Sequence, residues 1–513
     1  MDVIEKYLNK LQLNKAPGYD GLRASFMKLA GGNFNISLCN MFNKCISSCT
    51  FPSDLKMGEI SPIFKKNDNL SKQNYRSVNL LPIISKVYER VLADQLMSYF
   101  ENILNDALSA YRKGYNCQHV LLKLTEYWRQ AFDNGSAVGT IAMDLSKAFD
   151  KMPHGLLIAK LHAYGLSYGA CTIMISYLKD RFQRVKVTGS TSHWVTINRG
   201  VPQGSVLGPL LFNIFVNDLY LVDMYSDIAN FADDNNLYTQ HNDVNTLKVT
   251  IERDSETAIS WFRDNYFDVN SDKFQGMVMD KSGKIDISLS IDGNTLTSSS
   301  HIDVLGVTLD SKLRFDIHIN QICNKVARQI NALRRVSKYL NEDNRIATYR
   351  AFISSNFNYC PLAWIFCGSK NMAKLEKLQE RALRFVYKDR DCSYEDLLKR
   401  GHFLSLSKSR YRFLAIEVFK CVKGLNPQYM NNFFKIKSIP YGFRDSTILE
   451  QPEFNTKTYG YRSFRYVGAK LWNVLPVNLK NIDNLDIFKR EISTWCHSET
   501  SEKLERLDIF NRR

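Results

Sequence analysis

DIANFADDNNLYTQ, residues 227–240, is an apolar run that reaches an adjacent pair of carboxylates, Asp233 and Asp234, and then resumes. Upstream, GTIAMDLSKAFDKMPH, residues 139–154, holds a second apolar run that ends in one carboxylate, Asp144. Short β-branched and apolar runs of this kind predict strands. A hairpin carrying Asp233 and Asp234, laid beside a strand ending at Asp144, would gather three carboxylates across 89 residues of chain. An acidic pair at a strand end is commonly a solvated turn, so FADD draws its meaning from its surroundings.

Those surroundings are α+β. Between Gly139 and Asp310 further strand-like runs (RVKVTG, HWVTINRG, SLSIDG, DVLGVTLD) alternate with helical text. From Lys15 to about Leu124 short helices alternate with loops such as NKAPGYDG, SPIFKKNDN and NYRSVNLLP. Ser311 to Arg400 is amphipathic helical sequence with 18 Lys+Arg against 9 Asp+Glu, a local net of +9. After Gly401 come more helical text and an aromatic, loop-rich stretch, PEFNTKTYGYRSFRYVGAKLWNVLP, to which the sequence assigns no chemistry.

The 513 residues carry a formal net charge of +16 with 26 Tyr, 30 Phe and 6 Trp, a balance that favours a polyanionic partner. The 11 Cys are odd in number and form no CxxC pair, which argues against a disulfide framework or a zinc site and for a reducing intracellular compartment. No secretory pattern opens the chain, and no apolar run reaches the ~18 residues that span a bilayer.

Converging carboxylates suit one chemistry well. Joining a primer 3′-hydroxyl to a nucleotide α-phosphorus is assisted by two Mg²⁺ ions, which take oxygen ligands and ionised carboxylates. Phe149, five positions after Asp144, is close enough to floor a nucleotide pocket and to exclude a ribose 2′-hydroxyl by bulk. In RGVPQGSVLGPLLFNIFVNDL, Gly200, Gly204 and Gly208 with Pro202 and Pro209 predict a close-approach loop leading into an apolar helix. Gln203 and Ser205 would face template or nucleotide there, or Ser205 would cap the helix.

These stretches resemble motifs A, B and C of reverse transcriptases. The order NKAPGYDG, SPIFKKNDN, NYRSVNLLPIISKVYERVL, AYRKGYNCQHVLLKL, AMDLSKAFDKMPH, RGVPQGSVLGPLLFNIFVND, NFADDNNLY, WFRDNYFDVNSDKFQGMVM, VLGVTLD is similar to the non-LTR (LINE-type, jockey-like) branch. The resemblance runs from Asn14 to Asp310. It implies a right-hand polymerase with fingers (1–136), a ferredoxin-like palm (137–310) and a basic helical thumb (311–400), followed by a segment of unassigned role (401–513).

By the same resemblance Asp144, Asp233, Asp234 and the Leu145 carbonyl hold two Mg²⁺, with Mn²⁺ an alternative. Lys65, or its neighbour Lys66, and Arg76 present cations to the triphosphate, Phe149 and Gln203 line the pocket, and Lys273 protonates departing pyrophosphate. The implied activity is RNA-directed DNA polymerisation, with an RNA template, a DNA primer and deoxynucleoside triphosphates, no membrane partner and no expectation for the oligomeric state. Ser77 departs from the family's usual Pro after YR, and FADD replaces YADD. Relatives of this type carry an upstream endonuclease, so a truncated element copy or a fragment of a longer gene is expected. The rival readings are a group II intron or retron polymerase and a non-catalytic nucleic-acid-binding remnant.

Overall fold

The computed structural model describes residues 2–65, 67–437, 447–498 and 510. Its centre is an antiparallel six-stranded sheet ordered β11-β10-β3-β8-β7, with β9 paired to β3. The strands are β3 (Ala137–Ser146), β7 (Asp227–Phe231), β8 (Asp234–His241), β9 (Asp268–Val269), β10 (Gln275–Asp280) and β11 (Gly283–Lys284). Successive residues of β3 point to opposite faces. Ile141 and Met143 enter a core shared with the Val244–Asp264 helix, where Gly139 leaves room for Ile251 and Leu247. Val138 enters a second core with Trp128, Tyr238 and the helices beyond residue 310.

A second sheet, of five strands, runs β2-β1-β4-β5 with β6 on β4. It combines β1 (Met57–Phe64) and β2 (Tyr75–Leu80) with β4 (Arg181–Val187), β5 (Ser190–Thr191) and β6 (Val195–Ile197). The β1–β4 pairing is parallel, so residues on both sides of the expected 136/137 boundary share one ladder. Hairpins β12 (Ser288–Ile291)–β13 (Asn294–Thr297) and β14 (His301–Val304)–β15 (Val307–Asp310) follow.

Beyond Asp310 the described chain is helical. Asp316–Val336 packs on Ser369–Tyr387, with a π-helical turn at Tyr349–Ser354 between them. Leu406–Val422 packs on Phe464–Val474 and Leu485–His497 around a third core that includes Trp472, so the stretch expected to be loop-rich contributes a helix and a buried indole.

That segment is fastened to the Cys117–Asp133 helix at three points of one face. His119 bonds Glu417 at 2.8 Å, Glu126 accepts from the N–H groups of Phe464 (2.7 Å) and Arg465 (3.2 Å), and Asp133 accepts from those of Asn455 (2.9 Å) and Thr456 (2.6 Å). The spacing of seven returns each residue to nearly the same side of a helix. Among the described residues no helix is long and apolar enough to cross a membrane.

Candidate active site

The β7–β8 hairpin closes with Phe231 opposite Asp234, leaving Ala232 and Asp233 as its two-residue turn. Ala232 has φ +57°, a left-handed conformation that favours glycine. Buried asparagines hold the turn: Asn230 Nδ2 donates to the Ala232 carbonyl (2.7 Å) and to Asn235 Oδ1 (2.8 Å), and Asn235 Nδ2 donates to the Asp233 carbonyl (3.1 Å). In the β3–β8 ladder Asp144 stands directly opposite Asp234. The hairpin thus brings Asp233 and Asp234 to the end of the strand that carries Asp144.

Their charges are felt. Desolvation first, then the carboxylates of Asp233 and Asp144, push Asp234 up to about 6. Asp233 is also raised, chiefly by desolvation and then by Asp144, while Arg76 and Lys65 pull it back. Lys273 Nζ lies 3.3 Å from Asp144 Oδ2, an ion pair in which both side chains reach solvent. Asp144, Asp234 and Lys273 border a cleft of about 460 Å³ that is also lined by Asp303–Gly306, at the turn of the β14–β15 hairpin.

Among the described residues no group of three or more His, Cys, Asp or Glu side chains forms a cage that could hold a metal ion. The donor set still fits Mg²⁺, which keeps waters and borrows phosphate oxygens rather than relying on an all-protein cage. Carboxylates that raise one another's pKa are stabilised when a divalent cation enters between them. The side chain of Leu145 is buried in the core, and Leu145 pairs with Val269 of β9.

The cations expected at the triphosphate sit at the tip of the β1–β2 hairpin. Lys65 N–H donates to the Asn74 carbonyl (2.8 Å), and Arg76 pairs with Ile63. Both lie near enough to lower the Asp233 pKa, and Lys65 acts likewise on Asp150. Lys66 lies outside the described residues.

Phe149 follows Lys147, whose φ is +51°, and stacks on Phe212 at 4.3 Å. It meets Tyr111 edge to face at 6.1 Å, and desolvation and then Asp233 raise the Tyr111 pKa. Gln203 Nε2 donates to Asp150 Oδ1 at 3.2 Å. Both line a second cleft of about 250 Å³ with Ser77, Lys147, Gln183 and Arg199. Ser205 is buried with its Oγ accepting from Gly208 N–H (3.0 Å), so it caps the helix instead of facing the cleft.

Tyr111, Asp150 and the asparagine clamp were not singled out by sequence reasoning. The Asn residues flanking FADD were a visible signal. Tyr111 offered none, because its approach depends on tertiary packing.

Residues 63–309 match the model of the family described as reverse transcriptase (RNA-dependent DNA polymerase). Similar curated proteins include the probable RNA-directed DNA polymerase from transposon BS of Drosophila melanogaster, 28% identical over 412 residues, 77% of this chain and 45% of that protein. The probable polymerase from transposon X-element of the same species is 27% identical, over 73% of this chain and 42% of its own length. The RNA-directed DNA polymerase from mobile element jockey of Drosophila funebris is 25% identical, over 75% of this chain and 43% of its own length. The chain therefore spans less than half the length of these relatives.

Among solved structures, telomerase from Candida albicans with a fragment of telomeric RNA aligns with a TM-score of 0.38 at 13% identity, covering 72% of this chain and 65% of that one. Apo telomerase from Candida tropicalis aligns with 0.40 at 11% identity, covering 73% and 67%. Residues 63–309 thus carry a reverse transcriptase (RNA-dependent DNA polymerase) domain, and over most of its length the chain is similar to the polymerases of jockey, BS and X-element non-LTR retrotransposons.

Proposed function

We propose that this chain extends a DNA primer 3′-hydroxyl with deoxynucleotides along an RNA template. The observation that carries the reading is the pairing of Asp144 with Asp234 next to Asp233, within the family-matched residues and at the edge of an open cleft. Two Mg²⁺, or Mn²⁺, held by these carboxylates and the Leu145 carbonyl would supply Lewis acidity to the primer hydroxyl and the departing pyrophosphate.

The chain's own groups do the rest. Lys65 and Arg76 leave the neighbourhood of Asp233 for the triphosphate, one as a point charge and one as a planar fork. Phe149, backed by Phe212, sets the pocket floor against a 2′-hydroxyl. Lys273 exchanges Asp144 for the leaving group and gives it a proton from Nζ. In this reading residues 1–136 with β4–β6 act as fingers, the six-stranded sheet as palm and 311–400 as a thumb that grips hybrid phosphates.

Single-nucleotide extension of a DNA primer annealed to RNA tests the proposal, with Mg²⁺ and then with excess chelator. Template-directed addition that chelation abolishes and Mg²⁺ restores is expected. A purified protein that binds the hybrid at low salt yet adds nothing would make it a non-catalytic remnant.

A further inference from the structure

Glu89 lies on the Ile83–Phe100 helix and has no exposed surface. Its carboxylate gathers four donors: the N–H groups of Val206 (2.7 Å) and Leu207 (3.1 Å) and the hydroxyls of Ser85 (3.1 Å) and Tyr177 (3.4 Å). Val206 and Leu207 open the Leu207–Val216 helix, whose first N–H groups have no partner within the helix. A buried carboxylate there makes charge-assisted hydrogen bonds at the positive end of the helix dipole. Glu89 therefore anchors the start of that helix to a different part of the chain.

Gln203 stands three residues before Val206, and the intervening backbone is stiff. Gly204 has φ +118°, and a Cβ there would lie 2.6 Å from the Asn79 carbonyl oxygen. Asn79 N–H donates to the Gln203 carbonyl (2.7 Å), and Ser205 N–H donates to the Pro202 carbonyl (3.0 Å). At the loop's other end the Gly200 carbonyl accepts from His154 Nε2–H (2.7 Å), and Val201 N–H donates to the Phe149 carbonyl (2.9 Å). Gln203 and Val206 thus belong to one braced loop, tied to Asn79 in its middle and to Glu89 at its end.

We infer that Glu89 is a positioning residue for the incoming nucleotide: by holding the Val206 and Leu207 N–H groups it sets the height at which Gln203 meets the pocket. This rests on the polymerase reading. Glu89 touches no substrate in this role and acts through the 200–205 loop.

The test compares wild type with Glu89→Gln, which keeps the shape but loses the charge and one acceptor. Glu89→Asp keeps the charge on a shorter arm. Glu89→Gln is expected to raise the KM for deoxynucleotides about tenfold with kcat changed by no more than about twofold. Hybrid affinity should stay the same, and Glu89→Asp should recover part of the loss. Hydrogen exchange at Val206 and Leu207 should quicken in Glu89→Gln while the β3 and β8 amides keep their protection.

Unchanged KM in the folded variant would overturn the inference. So would a loss of kcat, KM and hybrid affinity together with faster exchange throughout, which marks a residue that merely packs the core. Wild type that extends nothing overturns the polymerase reading instead, and the Val206 and Leu207 amides then decide whether Glu89 holds the loop.

Discussion

Asp234→Asn should make the protein more stable at neutral pH while removing a proposed metal ligand. Burial and the charges of Asp233 and Asp144 raise Asp234 from an ordinary 3.8 to about 6. A folded-state pKa above the unfolded one means the folded chain holds the proton more tightly. The resulting stability is fully present below about pH 4 and is lost as pH rises through about 6.

Two pH units correspond to about 3 kcal/mol for a fully buried group. The Asp234 side chain reaches solvent, and screening reduces this to about 1 kcal/mol. Urea unfolding of wild type and variant at pH 4.5 and 7.5 reads it directly. The variant should gain about 1 kcal/mol at pH 7.5 and little at pH 4.5, where wild-type Asp234 is already protonated. Adding Mg²⁺ at pH 7.5 should stabilise wild type more than the variant. A variant equal to or weaker than wild type at pH 7.5, or a gap that does not change with pH, would refute the electrostatic account.

Two further substitutions probe other parts of the molecule. Phe149→Val leaves space over Phe212, so the ratio of kcat/KM for deoxy- over ribonucleotides should fall about 10- to 100-fold; an unchanged ratio would remove Phe149 from the pocket. A Cβ on Gly460 would stand 2.4 Å from Asp133 Oδ2, which helps tie the C-terminal segment to the Cys117–Asp133 helix. Gly460→Ala should cost about 1–3 kcal/mol and speed proteolysis between residues 451 and 463, whereas unaltered cleavage would show that the fastening is dispensable.

The acidic strand ends are legible in sequence because FADD, by itself a common solvated turn, stands in order with the other motif-like stretches around it. Strand pairing brings Asp144 and Asp234 opposite one another. Partner choice is less legible. RVKVTG reads as a strand, but its parallel pairing with β1 depends on a crossover that local text does not encode. Glu89 reads as one more charged position on an amphipathic helix, and its burial appears when the Leu207–Val216 helix arrives over 100 residues later. The GYRSFR stretch has no visible chemistry in sequence because the backbone N–H groups of Phe464 and Arg465 make the contacts, accepted by Glu126. Backbone donors leave no mark on side-chain identity. Ser205 shows the reverse case, a polar side chain whose local cap competes with a role in the cleft and takes it.

The most direct test of the central claim is primer extension on an RNA template with Mg²⁺ and deoxynucleotides, run beside the Asp233→Asn/Asp234→Asn double variant. The account predicts template-dependent extension by wild type, and in the variant loss of extension with hybrid affinity retained. Equal extension by both proteins, or none by either while both bind the hybrid, would contradict it.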